Sequence, residues 1–187
     1  MAIDLTTTIN YANTGMLAGT PTDPNFLSPL GFKFSLKRAP NVNFFVTDAN
    51  IPSFGIGYIN LPTPFKYLEF PGDKPAFGDF VLTFKVDENL RNYLEIYVWL
   101  AKLGFPESFE QYASIKNTAI GSGGGVVSDG TLTILNSSMM PTTEVTFTNM
   151  FPYTLSEVNF TTADDTVNYV TARAAFKFNI MKVTSLI

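Results

Sequence analysis

The 187-residue sequence contains no cysteine and no histidine. The absence of cysteine excludes a disulfide framework, a thiolate zinc site and a cysteine nucleophile. The absence of histidine excludes every catalytic triad or metal cluster that depends on imidazole. An enzyme would need carboxylates, lysine or tyrosine, and the acidic pairs Asp87–Glu88 and Asp164–Asp165 stand where caps and turns are expected. The sequence therefore predicts no enzymatic activity, no metal and no cofactor.

Charge and long apolar runs are also scarce. Charged residues make up 15% of the chain and the net charge is −4, which argues against a surface that neutralises nucleic-acid phosphates. No window approaches 18 apolar residues, so no membrane-spanning helix is expected. The first eight residues lack the basic start and apolar stretch of a secretory signal.

What the chain does contain favours a mainly β fold. It is 45% hydrophobic, with 18 Phe, 8 Tyr, 13 Gly and 12 Pro.

Residues 1–30 show no sustained hydrophobic period and are expected to form an N-terminal arm. This arm is either a flexible terminus or a segment that orders against a neighbouring subunit. Residues 31–187 form a single β domain, with a flexible Gly-rich insertion at 117–130. A phosphate-binding interpretation of that insertion fails because no strong strand precedes it and no helix follows.

Alternation of apolar and polar residues predicts the strands. Residues 32–36 and 42–46 are expected to form a hairpin, and a strand is expected at 80–86. A second hairpin is predicted from 131–135 and 144–148. A short strand at 155–160 and one long strand from 170 to 180 complete the sheet prediction.

Two interpretations compete for the aromatic, Pro- and Gly-bounded segment 64–74. It is either an ordinary core strand or an arm that presents aromatic and charged side chains to a partner. The preceding segment 51–57 is expected to leave the sheet because Pro and paired Gly interrupt strand geometry.

One amphipathic helix is predicted from about Asp87 to Leu103. Asp87 is expected to cap its N-terminus, and Gly104 is expected to end it. Trp99 falls on the more polar stripe and is a possible interface anchor. The predicted packing face consists of Leu90, Leu94, Tyr97, Val98 and Ala101.

In order and spacing, these features resemble the tail-tube protein family of contractile-tailed bacteriophages. The segments that match are the strand at 29–36, the turn at 49–52, the arm motifs at 70–74 and 77–80, the helix ending in Trp99, and the corner at 149–153. The final strand at 169–183 completes the match.

The resemblance implies a β-sandwich or partial barrel with one flanking helix and a long projecting hairpin arm, which forms a ring-shaped inner β-barrel on oligomerisation. Homohexameric rings would stack into the tail tube that conducts phage DNA, inside a virion assembled in the bacterial host. The implied partners are the sheath, baseplate proteins, the tape measure protein and DNA that is not specifically bound, with no membrane. The implied contacts between subunits and rings are Phe65, Lys66, Tyr67, Leu68, Glu69, Phe70, Asp73 and Lys74.

Two alternatives remain open. The chain is also compatible with a single-ring tube-like protein of the baseplate or tail end, such as a tube initiator or adaptor. Its aromatic content also suits a monomeric β-sandwich whose cavity binds a small ligand.

Overall fold

The structure, a computed structural model, describes residues 25–104, 108–116, 125–161 and 169–186. Most of the predicted N-terminal arm and the Gly-rich segment 117–124 lie outside these residues. The described elements, in chain order, are β1 (Phe32–Leu36), α1 (Pro40–Phe44), β2 (Val46–Ala49), β3 (Phe54–Pro62), β4 (Tyr67–Phe77), β5 (Phe80–Lys85), α2 (Arg91–Gly104), α3 (Phe109–Lys116), β6 (Ser128–Leu135), β7 (Pro141–Leu155), β8 (Thr171–Lys177) and β9 (Ile180–Ser185).

Strand β7 divides the main β structure into two sheets. Its first part pairs with β6 on one side and β9 on the other, and β1 continues beyond β6. These four strands are called sheet 1. The last part of β7 pairs with β8, which is followed by β5 and β2, and these strands are called sheet 2. All neighbouring strands among the described residues are antiparallel. These residues form nine strands and three helices, so the predicted mainly β fold is confirmed.

The core lies between the two sheets and is rich in phenylalanine. The Phe80 ring from sheet 2 lies 5.1 Å from Phe34 and 4.7 Å from Phe147 in sheet 1. The same ring lies 6.2 Å from Phe176 in its own sheet. All four side chains are buried, and each contributes roughly 1.5–3 kcal/mol by its transfer out of water.

A buried amide fixes the start of α2. Leu90 has a positive φ of 56°, a conformation that branched or bulky side chains rarely adopt. The Oδ1 atom of Asn92 accepts the backbone N–H groups of Asp87 (3.2 Å) and Tyr93 (2.8 Å). Its Nδ2 atom donates to the carbonyl of Lys85 at 2.7 Å. One side chain therefore ties the end of β5 to the helix, and the predicted capping role of Asp87 belongs to Asn92 instead.

The predicted first hairpin is wrong. Ala39-Pro40 begins helix α1 rather than a turn, because Pro is favourable in the first turn of a helix. The strands on either side of this helix then enter different sheets, where β1 pairs with β6 and β2 pairs with β5.

The C-terminal third is partly as predicted. The β6–β7 hairpin is confirmed. The predicted long final strand is two strands, since a bend at Asn179 separates β8, in sheet 2, from β9, in sheet 1. No strand occurs at 156–160, and β7 instead continues through Pro152 with a register shift before Thr154. Helix α3 was not predicted.

We expect Asn92→Ala to lower the free energy of unfolding by about 1–3 kcal/mol, because the substitution removes three partly buried hydrogen bonds, including the one to the Lys85 carbonyl. Asn159, whose amide is exposed, provides the control, and Asn159→Ala should change stability by less than about 0.5 kcal/mol. Urea unfolding followed by circular dichroism measures both. Equal effects for the two variants would contradict the role assigned to Asn92.

Candidate assembly surfaces

Among the described strands, the hairpin β3–β4 pairs only with itself and projects from the two sheets. Every residue of β3 is exposed, and Phe65 in the connecting turn is 98% exposed. An isolated two-stranded hairpin is only marginally stable in water. The exposed side chains of this one include large apolar residues such as Phe54, Ile59 and Phe65. Large exposed apolar patches usually mark sites of protein interaction.

The two faces of the hairpin differ in character. On one face, the cross-strand pairs Ile59–Phe70 and Leu61–Leu68 form a compact apolar patch, hereafter the hairpin patch. The opposite face alternates aromatic, polar and acidic residues through the pairs Tyr58–Pro71, Asn60–Glu69 and Pro62–Tyr67. Neighbouring residues in a strand point to opposite sides of the sheet, which keeps these two sets apart.

The structure places the predicted contact residues together on this hairpin. Phe65 and Lys66 lie in the turn, and the other six lie on β4. All are exposed except Leu68, which is half-buried. The core-strand interpretation of segment 64–74 is therefore wrong for the single chain, and the contacts themselves remain a prediction.

Segment 51–57 was predicted to leave the sheet, and it does leave the two main sheets, but the strand β3 that it begins was not predicted. Phe54, Ile56 and Tyr58 recur at every second position, which is the period of a strand. The glycine that allows a close approach of the two strands is Gly72 on β4, since a Cβ at that position would lie 2.7 Å from the carbonyl oxygen of Gly57. This alternation could have been used to predict the strand. The register of its pairing with β4 shifts between Ile56 and Tyr58.

Backbone and aromatic contacts fix the base of the hairpin to the main sheets. The N–H of Gly78 donates to the carbonyl of Ser53 at 2.8 Å. The Asn50 side chain accepts the N–H of Val81 (2.6 Å) and donates to the carbonyl of Asp79 (3.0 Å). In addition, the Phe77 ring lies between those of Phe54 and Phe178, at 5.3 and 5.5 Å.

An exposed cluster of charged and phenolic groups reinforces this base. The carboxylate of Asp79 forms an ion pair with Lys177 and accepts a hydrogen bond from the hydroxyl of Tyr153. The hydrogen bond from Lys177, followed by that from Tyr153, lowers the pKa of Asp79. The same contacts with Asp79 raise the pKa values of Lys177 and Tyr153.

Helix α2 faces the core with a different stripe from the one predicted. The buried residues are Asn92, Ile96 and Trp99. On the predicted packing face, Leu90, Leu94, Tyr97 and Val98 are exposed and Ala101 is half-buried. The predicted face is wrong because hydrophobicity alone could not anticipate that a polar Asn, satisfied by three hydrogen bonds, would lie on the inner side.

Trp99 is a core residue and is not an exposed interface anchor, so that prediction is also wrong. Its side chain is 1% exposed, and its indole N–H donates to the carbonyl of Val126 at 3.1 Å. The guanidinium of Arg38 lies 4.8 Å from the ring centroid and donates to the carbonyl of Gly125. Partial burial lowers the pKa of Arg38. The indole thus links helix α2 to the start of β6.

The described residues contain no group of three or more acidic side chains placed to hold a metal ion.

A cleft of about 500 Å³ lies beside α1 and α2, lined by Arg38, Asn41, Arg91, Leu94, Glu95, Val98 and Trp99. Its lining is largely charged and aliphatic, which differs from the aromatic cavity expected for a hydrophobic ligand. Within the described ranges, no helix has both the length and the apolarity to cross a membrane.

Comparison with known proteins identifies the fold. No protein-family model and no curated protein matches the sequence. Among solved structures, a chain of the anti-feeding prophage tube-terminating cap matches with a TM-score of 0.58 and 11% identity, covering 92% of this chain and 99% of the other. A chain of the PVC sheath–tube complex, from an extracellular contractile injection system, matches with a TM-score of 0.56 and 11% identity, covering 87% and 94%. A chain of the PVC sheath/tube terminator gives 0.55 and 12%, covering 87% and 99%.

The chain has the tail-tube fold. At this level of identity the likeness concerns the fold alone, and it agrees with the resemblance seen in the sequence motifs. The projecting hairpin and the exposed side of α2 are therefore surfaces displayed by a tail-tube fold.

We expect Asp79→Asn to lower stability at neutral pH and to remove part of its dependence on acid. A carboxyl whose pKa is lowered by folding stabilises the native state above its unfolded pKa, near 3.8, and loses that contribution as the pH falls through the folded value. The difference in urea midpoint between wild type and Asp79→Asn should therefore shrink between pH 7 and pH 2. A difference that stays constant over this range would contradict the role given to the carboxylate.

We expect Trp99→Ala to cost about 3–5 kcal/mol of stability, because it empties a large volume in the core. Tyr97, on the same helix and 54% exposed, provides the matched comparison, and Tyr97→Ala should cost less than about 1 kcal/mol. Thermal and urea unfolding followed by circular dichroism distinguish the two. The reverse order would restore the packing face predicted from the sequence.

Proposed function

We propose that this chain is a structural subunit of a tail-tube-like assembly and has no chemistry of its own. Its copies associate into six-membered rings, and the rings stack into a tube that conducts phage DNA. The tail-tube fold supports this proposal, and the exposed hairpin is the single observation that carries it.

The hairpin argues for assembly because its apolar surface has no partner within the described part of the subunit. It pairs only with itself, and Ile59, Leu61 and Phe70 are all exposed. In water this surface favours association with another apolar surface. The pairs Asp73–Lys74 and Lys66–Glu69 add charges of both signs, which suit a contact with fixed register. In the proposed assembly the hairpin makes the contacts between rings and between neighbouring subunits.

Sheet 1 argues for rings because its outer strands, β1 and β9, each pair with one strand only among the described residues. A subunit with two different complementary edges associates head to tail, and such contacts generate closed rings or open helical filaments. Unpaired N–H and C=O groups of edge strands promote aggregation, and closure into a barrel gives these groups hydrogen-bond partners.

The proposed partners follow from this architecture. The tube would associate with a sheath around it, with baseplate proteins at its end, and with a tape measure protein and DNA in the lumen of a virion assembled in the host bacterium. A net charge of −4 agrees with passage of DNA without specific binding.

A second candidate is a single ring at the end of a tube or in the baseplate. The similarity to a tube-terminating cap and to a sheath/tube terminator, each with 99% of its chain covered, favours this alternative. Negative-stain electron microscopy of the purified protein distinguishes them, since long tubes support the repeating subunit and single rings support the end component. Protein that is monomeric at every concentration, with neither rings nor tubes, would overturn both.

We expect the double substitution Asp73→Ala with Lys74→Ala to give folded subunits that no longer form tubes. Both side chains are exposed and lie on β4, which pairs with β3 rather than with a strand of the two main sheets, so the fold should be retained. Circular dichroism and thermal unfolding report folding, and negative-stain images report assembly. An unfolded variant would contradict the surface role of β4.

A second variant tests the hairpin patch. Ile59→Ser with Phe70→Ser removes one exposed cross-strand pair and should also abolish stacking. The matched control is Phe44→Ser, which removes an exposed aromatic side chain from α1, away from the hairpin. Tubes that persist in the hairpin variant, with normal length, would refute the contact.

A further inference from the structure

The loop between β6 and β7 holds two exposed methionines in a fixed conformation. The Oδ1 atom of Asn136 accepts the backbone N–H groups of Ser138 and Met140, both at 2.9 Å. The backbone N–H of Asn136 donates to the carbonyl of Met140, and its carbonyl accepts the N–H of Met139, again at 2.9 Å. Residues 136–140 are hereafter the methionine loop, and the side chains at 139 and 140 are 65% and 63% exposed.

Met139 adopts a backbone conformation that suits glycine better. Its φ of 60° lies in the left-handed region, where a Cβ is unfavourable. Residues persist in such conformations when the surrounding structure imposes them, and they cluster at functional sites. A methionine at this position therefore indicates a use for its side chain. Because the side chain is exposed, that use is a contact outside the subunit.

Two backbone hydrogen bonds bring other segments of the chain beside the methionine loop. The N–H of Leu135, just before the loop, donates to the carbonyl of Gly31 at 2.8 Å. The N–H of Leu186 donates to the carbonyl of Thr142, just after the loop, at 2.9 Å. The start of β1, the methionine loop and the end of β9 therefore share one end of sheet 1.

This end of sheet 1 carries apolar side chains and no charged ones. None of the residues 25–31, 135–142 and 185–186 is charged, although charged residues make up 15% of the whole chain. Exposed apolar surface of this kind usually marks a site of protein interaction. Four exposed apolar side chains of this end are hereafter the end patch, namely those of Leu30, Met139, Met140 and Leu186.

The end patch and the hairpin β3–β4 lie at opposite ends of sheet 1. The hairpin leaves the subunit where the Phe77 ring packs 5.5 Å from that of Phe178, just before β9 begins. Strand β9 begins beside Thr148, whereas the end patch lies beside Pro141. About 23 Å of extended chain separates these two residues of β7, at roughly 3.3 Å per residue. Neither apolar surface covers the other within the subunit, since both are exposed.

A second copy of the chain can cover the end patch with its hairpin patch. The hairpin patch, formed by the pairs Ile59–Phe70 and Leu61–Leu68, is also apolar and uncharged. Two different complementary surfaces on one chain allow copies to associate head to tail. Methionine suits such a surface because its flexible, unbranched side chain adapts to the shape of its partner.

The methionines of the end patch are also accessible to a peroxide. Hydrogen peroxide transfers one oxygen atom to the thioether sulfur, which loses two electrons and becomes a sulfoxide, while the peroxide is reduced to water. Met150 is buried and Met181 packs against the core, so Met139 and Met140 are the most accessible methionines among the described residues. Each sulfoxide places a polar S=O group in a patch that has no charged side chain to pair with it.

We propose that the end patch binds the hairpin patch of a second copy, and that oxidation of Met139 and Met140 to the sulfoxide reversibly abolishes this contact. The inference rests on the proposed assembly and adds a modification site that regulates it. Burial of the two S=O groups against the hairpin patch removes their hydrogen bonds with water, which makes the oxidised contact unfavourable. Methionine sulfoxide reductases restore the thioethers and with them the contact.

Peroxide treatment of the wild type and of Met139→Leu with Met140→Leu tests the regulation. Peptide mass spectrometry reports which methionines are oxidised, and sedimentation reports assembly. Oxidation should lower the apparent association constant of the wild type by roughly tenfold or more, and reductase treatment should restore it. The leucine variant should keep its own association constant after peroxide, because it has no sulfur at the two positions. This variant retains Met1, Met16 and Met181, so it controls for oxidation elsewhere.

Two results of this experiment would overturn the regulation while leaving the proposed function standing. One is a wild-type association constant that survives complete oxidation at both positions, and the other is an equal loss in the leucine variant. If the untreated wild type does not assemble at any concentration, the proposed function fails and the regulation with it.

The oxidation rates of the wild type give a second test that needs no variant. In assembled protein, Met139 and Met140 should react at least about tenfold more slowly than in the dilute subunit, because the hairpin patch covers them. Met150 is the internal control, since its side chain is buried within the subunit. Equal rates at Met139 and Met140 in the two states would refute the contact.

The absence of cysteine allows the partner surface to be identified by disulfide cross-linking. Ser138→Cys in the methionine loop combined with Leu61→Cys in the hairpin patch should give, on oxidation, a ladder of covalent oligomers on non-reducing gels. The matched control combines Ser138→Cys with Phe44→Cys, which lies on α1 and is 84% exposed, and it should give no ladder. Assemblies in which only the control pair cross-links, or in which neither pair does, would rule out the hairpin patch as the partner.

Discussion

The contact of the Phe80 ring with Phe34 and Phe147 holds the two sheets together, and the other surfaces of the subunit depend on it. Phe80 begins β5 directly after the base of the projecting hairpin, so the residue that closes the core also fixes where the hairpin leaves it. Phe34 and Phe147 belong to sheet 1, whose outer strands β1 and β9 have no second partner strand in the described part of the chain. Packing at one point therefore positions both the hairpin and the two edges.

The parts of the fold that sequence could predict are those whose pattern is local. The β6–β7 hairpin was found because apolar residues alternate on both sides of a single connection. The pairing of β1 with β6 and of β2 with β5 could not be found in this way, since the partners lie far apart in the chain. The final strand was predicted as one because alternation continues through Asn179, and only the pairing with two different sheets shows the break.

Helix α2 shows why the candidate surfaces were harder to predict than the strands. Its position was predicted correctly within a few residues, but its orientation was reversed, because exposed Leu94 and Tyr97 resemble core residues when only hydrophobicity is considered. Hydrogen bonds to backbone groups outside the helix stabilise the burial of Asn92. The periodicity of apolar residues within the helix carries no information about these bonds. In the hairpin, the charged and aromatic composition of β4 indicated an exposed segment. The glycines of β3 argued against a strand, although β3 is a strand and is equally exposed.

The hairpin is attached to its own subunit at its base alone, and this has a consequence for how the sequence can change over time. Substitutions in β3 and β4 affect few contacts that maintain the core, so selection for folding hardly constrains them. In the proposed assembly, the composition of the hairpin is instead free to follow that of the surface that receives it, and the two surfaces can change as a pair. Such paired change would preserve the architecture while lowering the sequence similarity between chains.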